Sequence, residues 1–184
     1  MNFVKHSDLV GKHAFLSPSS YHWIRYDDEK LATTYLNMLA VEEGTKLHDF
    51  ACKCILYNQK LADLEKTINM YVNDSIDCGM TPEQILYFSD NCFGTADAIS
   101  FKRGVLRIHD LKTGAAKANM DQLRVYAALF CLEYKKKPHD ISIVLSIYQN
   151  DAVETEEADP EYIKDIMNAI KRADSIIESL KPKE

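Results

Sequence analysis

Two aspartates and a lysine stand out first, because each aspartate interrupts apolar sequence where a charge is costly. Asp97 lies within Ala96-Asp97-Ala98-Ile99 and Asp110 within Ile108-His109-Asp110-Leu111, with Lys112 two residues further on. Phe101-Lys102-Arg103-Gly104 is the only turn signal between two strand-like runs, which predicts a hairpin. With the turn centred between Arg103 and Gly104, Asp97 stands directly opposite Asp110. Facing residues on paired strands lie about 4.5–5.5 Å apart at Cβ, and like charges there destabilise a sheet. Two carboxylates at one spot on a half-buried surface need a compensating cation, which a divalent metal with oxygen ligands supplies. Lys112 returns to the same strand face as Asp110. Two aspartates and a lysine around a bound cation can activate water and stabilise a phosphorane-like transition state. The competing reading of the same residues is a plain Asp–Lys ion pair on a solvated sheet face.

The elements that position these groups follow from periodicity. Ser17 caps a short helix that has Pro18 at its first position. From about Asp28 to Gln59 apolar residues recur at helical spacing, with Gly44 predicting either two helices or one kinked one. Leu61 to Ile76 reads as a further helix closed near Gly79, and Thr81-Pro82 as a break. Three strands are predicted at Ile85–Phe88, Cys92–Phe101 and Val105–Leu111, then a helix from Met120 to Tyr134. Ile141 to Tyr148 is the most apolar strand and is expected to be central, and Glu161 to Leu180 forms a last amphipathic helix. The order implies an α/β sandwich around a mixed sheet. His109, next to Asp110, is expected to point to the opposite face in a structural role.

Length and charge bound the rest. The 184 residues fit one domain, with an apolar share of 46% and a charged share of 27% that argue against disorder. The N-terminal residues contain no uninterrupted apolar stretch of the secretory kind, and no run is long enough to span a bilayer, so a cytoplasmic protein with no membrane partner is expected. Five cysteines, odd in number and irregularly spaced, fit reduced, mostly buried thiols better than a metal cluster. The net charge of −6 is unevenly spread. Phe101 to Lys137 carries nine basic residues against three acidic ones, a local +6, whereas the chain from Asp151 onward holds ten acidic and five basic residues. Phosphate binding follows the local patch, so nucleic acid is not excluded.

Gly94-Thr95-Ala96-Asp97-Ala98, followed by Leu106-Arg107-Ile108-His109-Asp110-Leu111-Lys112-Thr113-Gly114, resembles motifs II and III of the PD-(D/E)XK nuclease superfamily. The nearest resemblance is to its RecB/Cas4-like exonuclease branch and related phage and prophage proteins. Glu43-Gly44-Thr45-Lys46-Leu47-His48 resembles that branch's upstream helical motif, and Gln122-Leu123-Arg124-Val125-Tyr126 its QxxxY motif. Phe15-Leu16-Ser17-Pro18-Ser19-Ser20 is similar to the N-terminal SPSS-type segment of phage-type members. The resemblance covers residues 15–149, five elements in order.

The resemblance implies a restriction-endonuclease-like α/β core, a mixed sheet in αβββαβ order, flanked by N-terminal helices and a C-terminal helix. It implies a single nuclease domain over 1–184, with a helical part at 15–80, a catalytic core at 83–150 and a final helix at 160–181. The implied activity is metal-dependent hydrolysis of DNA at ends or in single strands, in phage-type recombination or repair. The alternative is a DNA- or partner-binding module without turnover. Asp97, Asp110 and Lys112 would be catalytic. Asp97, Asp110, His48 and the Leu111 carbonyl would hold Mg²⁺ or Mn²⁺, the histidine tilting preference toward Mn²⁺. Lys117, Gln122, Arg124 and Tyr126 would meet DNA, with the acidic tail directed away. No iron–sulfur cluster is expected, because the chain lacks the cysteines that Cas4-type members carry. A recombination or replication protein and a second copy of the chain are the further partners implied, in a bacterial or phage-infected cell.

Overall fold

The computed structural model describes residue 4 and residues 6–114 and 116–182. Its contacts divide into two compact units, Met1–Glu43 and Gly44–Glu184. In the first, Ser17 caps a 3₁₀ segment at Pro18–Arg25 as expected, accepting from the Ser19 amide at 3.3 Å. The Trp23 indole donates to the Ser17 carbonyl at 3.1 Å, which ties the segment's middle to its start. Asp27 accepts from the Lys30 amide at 2.8 Å and so caps the following helix.

That helix, α1, runs as one α-helix from Asp28 to Leu56, so of the two expected outcomes the division into two helices at Gly44 does not occur. Gly44 is buried for a different reason: a Cβ there would lie 2.7 Å from the Thr113 hydroxyl. The absent side chain permits close approach, and a glycine inside a helix costs about 1 kcal/mol without ending it.

The second unit is built on a five-stranded mixed sheet. After α2 (Thr67–Asp77) come β1 (Thr81–Ser89), β2 (Cys92–Lys102) and β3 (Val105–Leu111), then α3 (Asp121–Glu133), β4 (Ser142–Gln149), β5 (Ala152–Glu157) and α4 (Pro160–Leu180). The strand order is β1-β2-β3-β4-β5, antiparallel except for the parallel β3–β4 pair that α3 connects. The β2–β3 hairpin turns at Arg103-Gly104, both with positive φ, and its ladder aligns Ala98 with His109 and Ile99 with Ile108. This is the predicted register; the ladder ends at the Ala98–His109 pair, one step short of Asp97 and Asp110.

Two departures concern strands. β1 begins four residues earlier than Ile85, with Thr81 and Pro82 inside it and Pro82 buried. As the first strand of the sheet β1 is an edge, where proline's missing donor is tolerated. β5 was not anticipated. It follows an Asn150-Asp151 turn in which both residues have positive φ, and its Ala-Val-Glu-Thr-Glu-Glu sequence is mostly exposed. An acidic edge strand shows no apolar alternation, and its charges discourage pairing with other chains.

Two apolar layers hold the sheet. On one side Leu106, Ile108, Leu145 and Ile143 pack with Leu123, Ala127 and Leu129 of α3 and Ile163 of α4. On the other, Leu111, Ala98 and Tyr148 pack with Ala51, Cys54 and Ile55 of α1 and Tyr71 and Val72 of α2. Each fully buried leucine contributes about 1.5–3 kcal/mol. His109 lies on this second side as expected. Its Nδ1 is 3.2 Å from the Ser75 hydroxyl and 3.3 Å from that of Tyr148, which donates to Asp74 at 2.9 Å. Burial, with Arg107 nearby, pushes the His109 pKa down to about 4, so the ring is neutral and structural. All five cysteines are free, Cys54 and Cys131 buried and the others half-buried. Among the described residues no helix is long and apolar enough to cross a membrane.

Candidate functional site

The carboxylates meet where β2 and β3 leave their ladder. Beyond the Ala98–His109 pair the Leu111 amide donates to Asp97 Oδ2 at 2.9 Å, so the Asp97 side chain occupies the place of a backbone acceptor. This bond and the strand order fix the carboxylate between β1 and β3. Asp97 is largely buried, and burial followed by repulsion from Asp110 pushes its pKa up to about 6. The Leu111 hydrogen bond and His48 oppose that rise, and Glu83 adds to it. A carboxylate strained in this way by its neighbours has the electrostatics of a cation site.

His48 comes from α1, one residue beyond Leu47 and a turn beyond Gly44, and its Nδ1 lies 3.5 Å from Asp97 Oδ2. Glu83 comes from β1. The ladder pairs Pro82 with Ala98 and Gln84 with Ala96, so Glu83 is the residue set against Asp97. Its φ of 50° is left-handed, a conformation rarely adopted by a side-chain-bearing residue in a strand. One ligand atom each from His48, Glu83 and Asp97 lies within 4.8 Å of the others. Donors about 2.1–2.5 Å from a shared cation are separated by this order of distance. Sequence reasoning missed Glu83 because it follows a proline in what reads as a break. Only the β1 register, which nothing local announces, sets it opposite Asp97.

Asp110 is 2% exposed and stands next to this cluster, paired with Lys112. Lys112 Nζ lies 2.9 Å from Asp110 Oδ2 and 3.1 Å from Oδ1, and only the second contact has hydrogen-bond geometry. Oδ2 is therefore a buried acceptor without a bonded donor, which a group entering the site can use. The same ammonium donates to Gln122 Oε1 at 2.9 Å, and Gln122 Nε2 donates to the Tyr126 hydroxyl at 3.3 Å. Gln122 and Tyr126, one turn apart on α3, thus form a single line of contacts ending on Lys112. Gly94 makes room for it, since a Cβ there would come within 3.1 Å of the Tyr126 ring.

The sequence-derived site is therefore brought together for His48, Asp97, Asp110, Lys112, Gln122 and Tyr126. Leu111 sits between the carboxylates with its amide turned to Asp97 and its side chain buried. Lys117 is exposed in the connection before α3. Arg124 differs from expectation. It donates to Glu156 at 3.0 and 2.6 Å and to Asp121 at 2.7 Å, and the Glu156 hydrogen bond is the largest cause raising its pKa. The acidic segment is correspondingly not directed away from α3: β5 brings Glu156 to it. Arg124→Ala is expected to cost roughly 1 kcal/mol of stability through this bidentate pair and, for a DNA ligand, to change affinity little. If DNA is the ligand, as the resemblance implies, Lys117→Ala weakens its binding and flattens the salt dependence by about one log–log unit. Fluorescence anisotropy across a salt series and thermal melts check both expectations.

Family models, curated proteins and solved structures give no match to this chain.

Proposed function

We propose that this chain is a metal-dependent deoxyribonuclease of the PD-(D/E)XK type, hydrolysing phosphodiester bonds at DNA ends or in single strands. The observation that carries the reading is the position of Lys112 Nζ, held between the carboxylate of Asp110 and the amide oxygen of Gln122 beside the His48–Glu83–Asp97 cluster. A solvated surface ion pair needs none of these neighbours. The antiparallel β1-β2-β3 meander, with α3 crossing to a parallel β4, supports the restriction-endonuclease-like assignment.

The donor set fits a divalent cation. Asp97, Glu83 and His48 would hold it, with the Asp110 carboxylate at its side. Bound there, Mg²⁺ or Mn²⁺ would supply a Lewis acid for a phosphate oxygen and lower the pKa of water. The protein's own groups do the rest. Lys112 places a positive charge where negative charge develops on the phosphate and can orient a water through one of its protons. Gln122 and Asp110 fix its ammonium, so little reorganisation is needed when the reaction occurs. The Leu111 amide donates to Asp97 Oδ2 and so helps to orient that carboxylate. The largely buried position of the Asp97 and Asp110 carboxylates strengthens their interactions relative to water, whereas Glu83 is exposed.

The test is incubation of the purified protein with linear and circular, single- and double-stranded DNA in Mg²⁺, Mn²⁺ or EDTA. Cleavage in both metals and none in EDTA is expected, with linear or single-stranded DNA preferred over closed circular duplex. Absence of cleavage in every combination overturns the assignment.

A further inference from the structure

Beside the proposed site, at the C-terminal ends of the parallel strands β3 and β4, lies a cavity of about 420 Å³. The crevice beyond the carboxyl ends of parallel strands is the usual place for a ligand in sheets of this kind. Four segments set its walls: Leu47 of α1, the start of α2, the end of β3 with the residues after it, and the residues that follow β4. Its residues continue the site. Leu111 and Lys112 line it, and Leu47 lines it one residue before His48. A group seated in the cavity would thus lie beside a phosphate held at Lys112.

The chemistry of the lining is specific. Leu47 and Ile68 supply apolar surface, while Asn150 and Asn69, the latter already donating one N–H to the Ala62 carbonyl at 2.9 Å, supply amides that both donate and accept. Flat apolar contact with polar groups at the periphery is what a nucleobase needs when it leaves its stack. The volume falls within the roughly 300–1,000 Å³ of small-ligand pockets. At the mouth Lys66 pairs with Asp151 at 2.6 Å, both side chains being well exposed. Asp151 also accepts from the Thr67 amide at 2.9 Å, and so caps α2. An exposed pair of this kind is weak. Lys66 can exchange Asp151 for a backbone phosphate without leaving that carboxylate unsatisfied.

We infer that this cavity receives one unpaired nucleobase of the strand whose phosphate lies at Lys112, so that bound DNA is single-stranded or frayed there. The inference rests on the nuclease reading for the position of the phosphate. It goes further in assigning a base subsite to Leu47, Ile68, Asn69 and Asn150. A base still paired in a duplex cannot enter, because its partner would have to follow it between α1 and α2.

The test measures binding of the full chain by fluorescence anisotropy in Ca²⁺, which does not depend on turnover. A single abasic position is walked along a single-stranded oligonucleotide. One position is expected to lose roughly tenfold in affinity, the scale of one base's stacking, with its neighbours affected far less. A blunt duplex of the same sequence is expected to bind roughly tenfold more weakly than the single strand. Ile68→Trp, which fills the cavity, is expected to abolish the position-specific loss while leaving the Mn²⁺-induced rise in Tm unchanged. The walk on the wild-type protein does not depend on that variant folding. Uniform losses along the oligonucleotide, equal affinity for duplex, or no DNA binding each overturn the inference. Cleavage without a sensitive position removes the base subsite and keeps the nuclease. A sensitive position without cleavage keeps the subsite and removes the nuclease.

Discussion

Lys112→Gln and Asp110→Asn are each expected to lower the rate of DNA cleavage by about 10³-fold, the scale of losing a positioned proton donor or a preorganised charge. These replacements are preferable to alanine. Asp110 is 2% exposed and Lys112 is its counter-charge, so truncating either leaves a poorly solvated charge without its partner. Breaking a buried pair in that way costs about 3–5 kcal/mol and would confound activity with folding. Glutamine and asparagine keep polar contact at both positions and remove only the charge. Gln122→Ala is expected to act through Lys112, whose ammonium it holds at 2.9 Å, and to lower kcat by about 10–100-fold with a smaller change in KM. It should also move the alkaline limb of the pH–rate profile, which simple loss of fold would not do. Near wild-type cleavage by either Lys112→Gln or Asp110→Asn, with circular dichroism showing the native fold, would mean that the Asp110–Lys112 pair is structural.

The parts of this site that could be read from the sequence are those fixed by short-range rules. The Arg103-Gly104 turn sets the β2–β3 register, because two consecutive positive-φ residues allow only one tight hairpin geometry. From that register the proximity of Asp97 and Asp110 follows, and strand periodicity then places Lys112 beside Asp110 and His109 on the opposite face. The helical spacing of Gln122 and Tyr126 similarly determines that they share a side of α3. What escaped depended on distant pairing. Glu83 enters the cluster through the β1–β2 register, and the Pro82 before it disguises the strand. β5 and its Glu156–Arg124 contact are hidden because an exposed acidic edge carries no apolar pattern. Gly44 misled in a different way. Its helix-weakening tendency is real but small, and packing against Thr113 outweighs it. Propensity is a local quantity, while the use of a glycine for close approach is a tertiary one.

Asp97→Asn is expected to stabilise the metal-free protein while removing its response to metal. The folded protein holds the Asp97 proton up to about pH 6, against an ordinary value of 3.8, because of burial and the Asp110 charge. The folded state therefore binds this proton more tightly than the unfolded chain does. The resulting contribution to stability is complete below about pH 4 and disappears as pH rises through 6. Its size is at most about 3 kcal/mol, and for a chain of this length that corresponds to roughly 5–10 °C in Tm. Asp151, Glu161, Asp174 and Glu178 have lowered pKa values through their surface partners, so they act in the opposite sense. Their stabilisation is lost only as pH falls below the ordinary carboxylate range, so they do not offset the Asp97 effect between pH 5 and 7. Thermal melts in EDTA should accordingly show Tm falling between pH 5 and 7 in the wild type and nearly constant in Asp97→Asn. At pH 7.5 millimolar Mn²⁺ should raise the wild-type Tm by several degrees, about 2.7 kcal/mol at one hundred times Kd, because the cation replaces the missing proton in the folded site alone. Mg²⁺ should do less, since a histidine nitrogen is a poor ligand for it, and His48→Ala should shrink the Mn²⁺ effect more than the Mg²⁺ effect. A wild-type Tm indifferent to both pH and metal would place the Asp97 charge in an environment that already satisfies it, and the case for a metal centre would fall with that result.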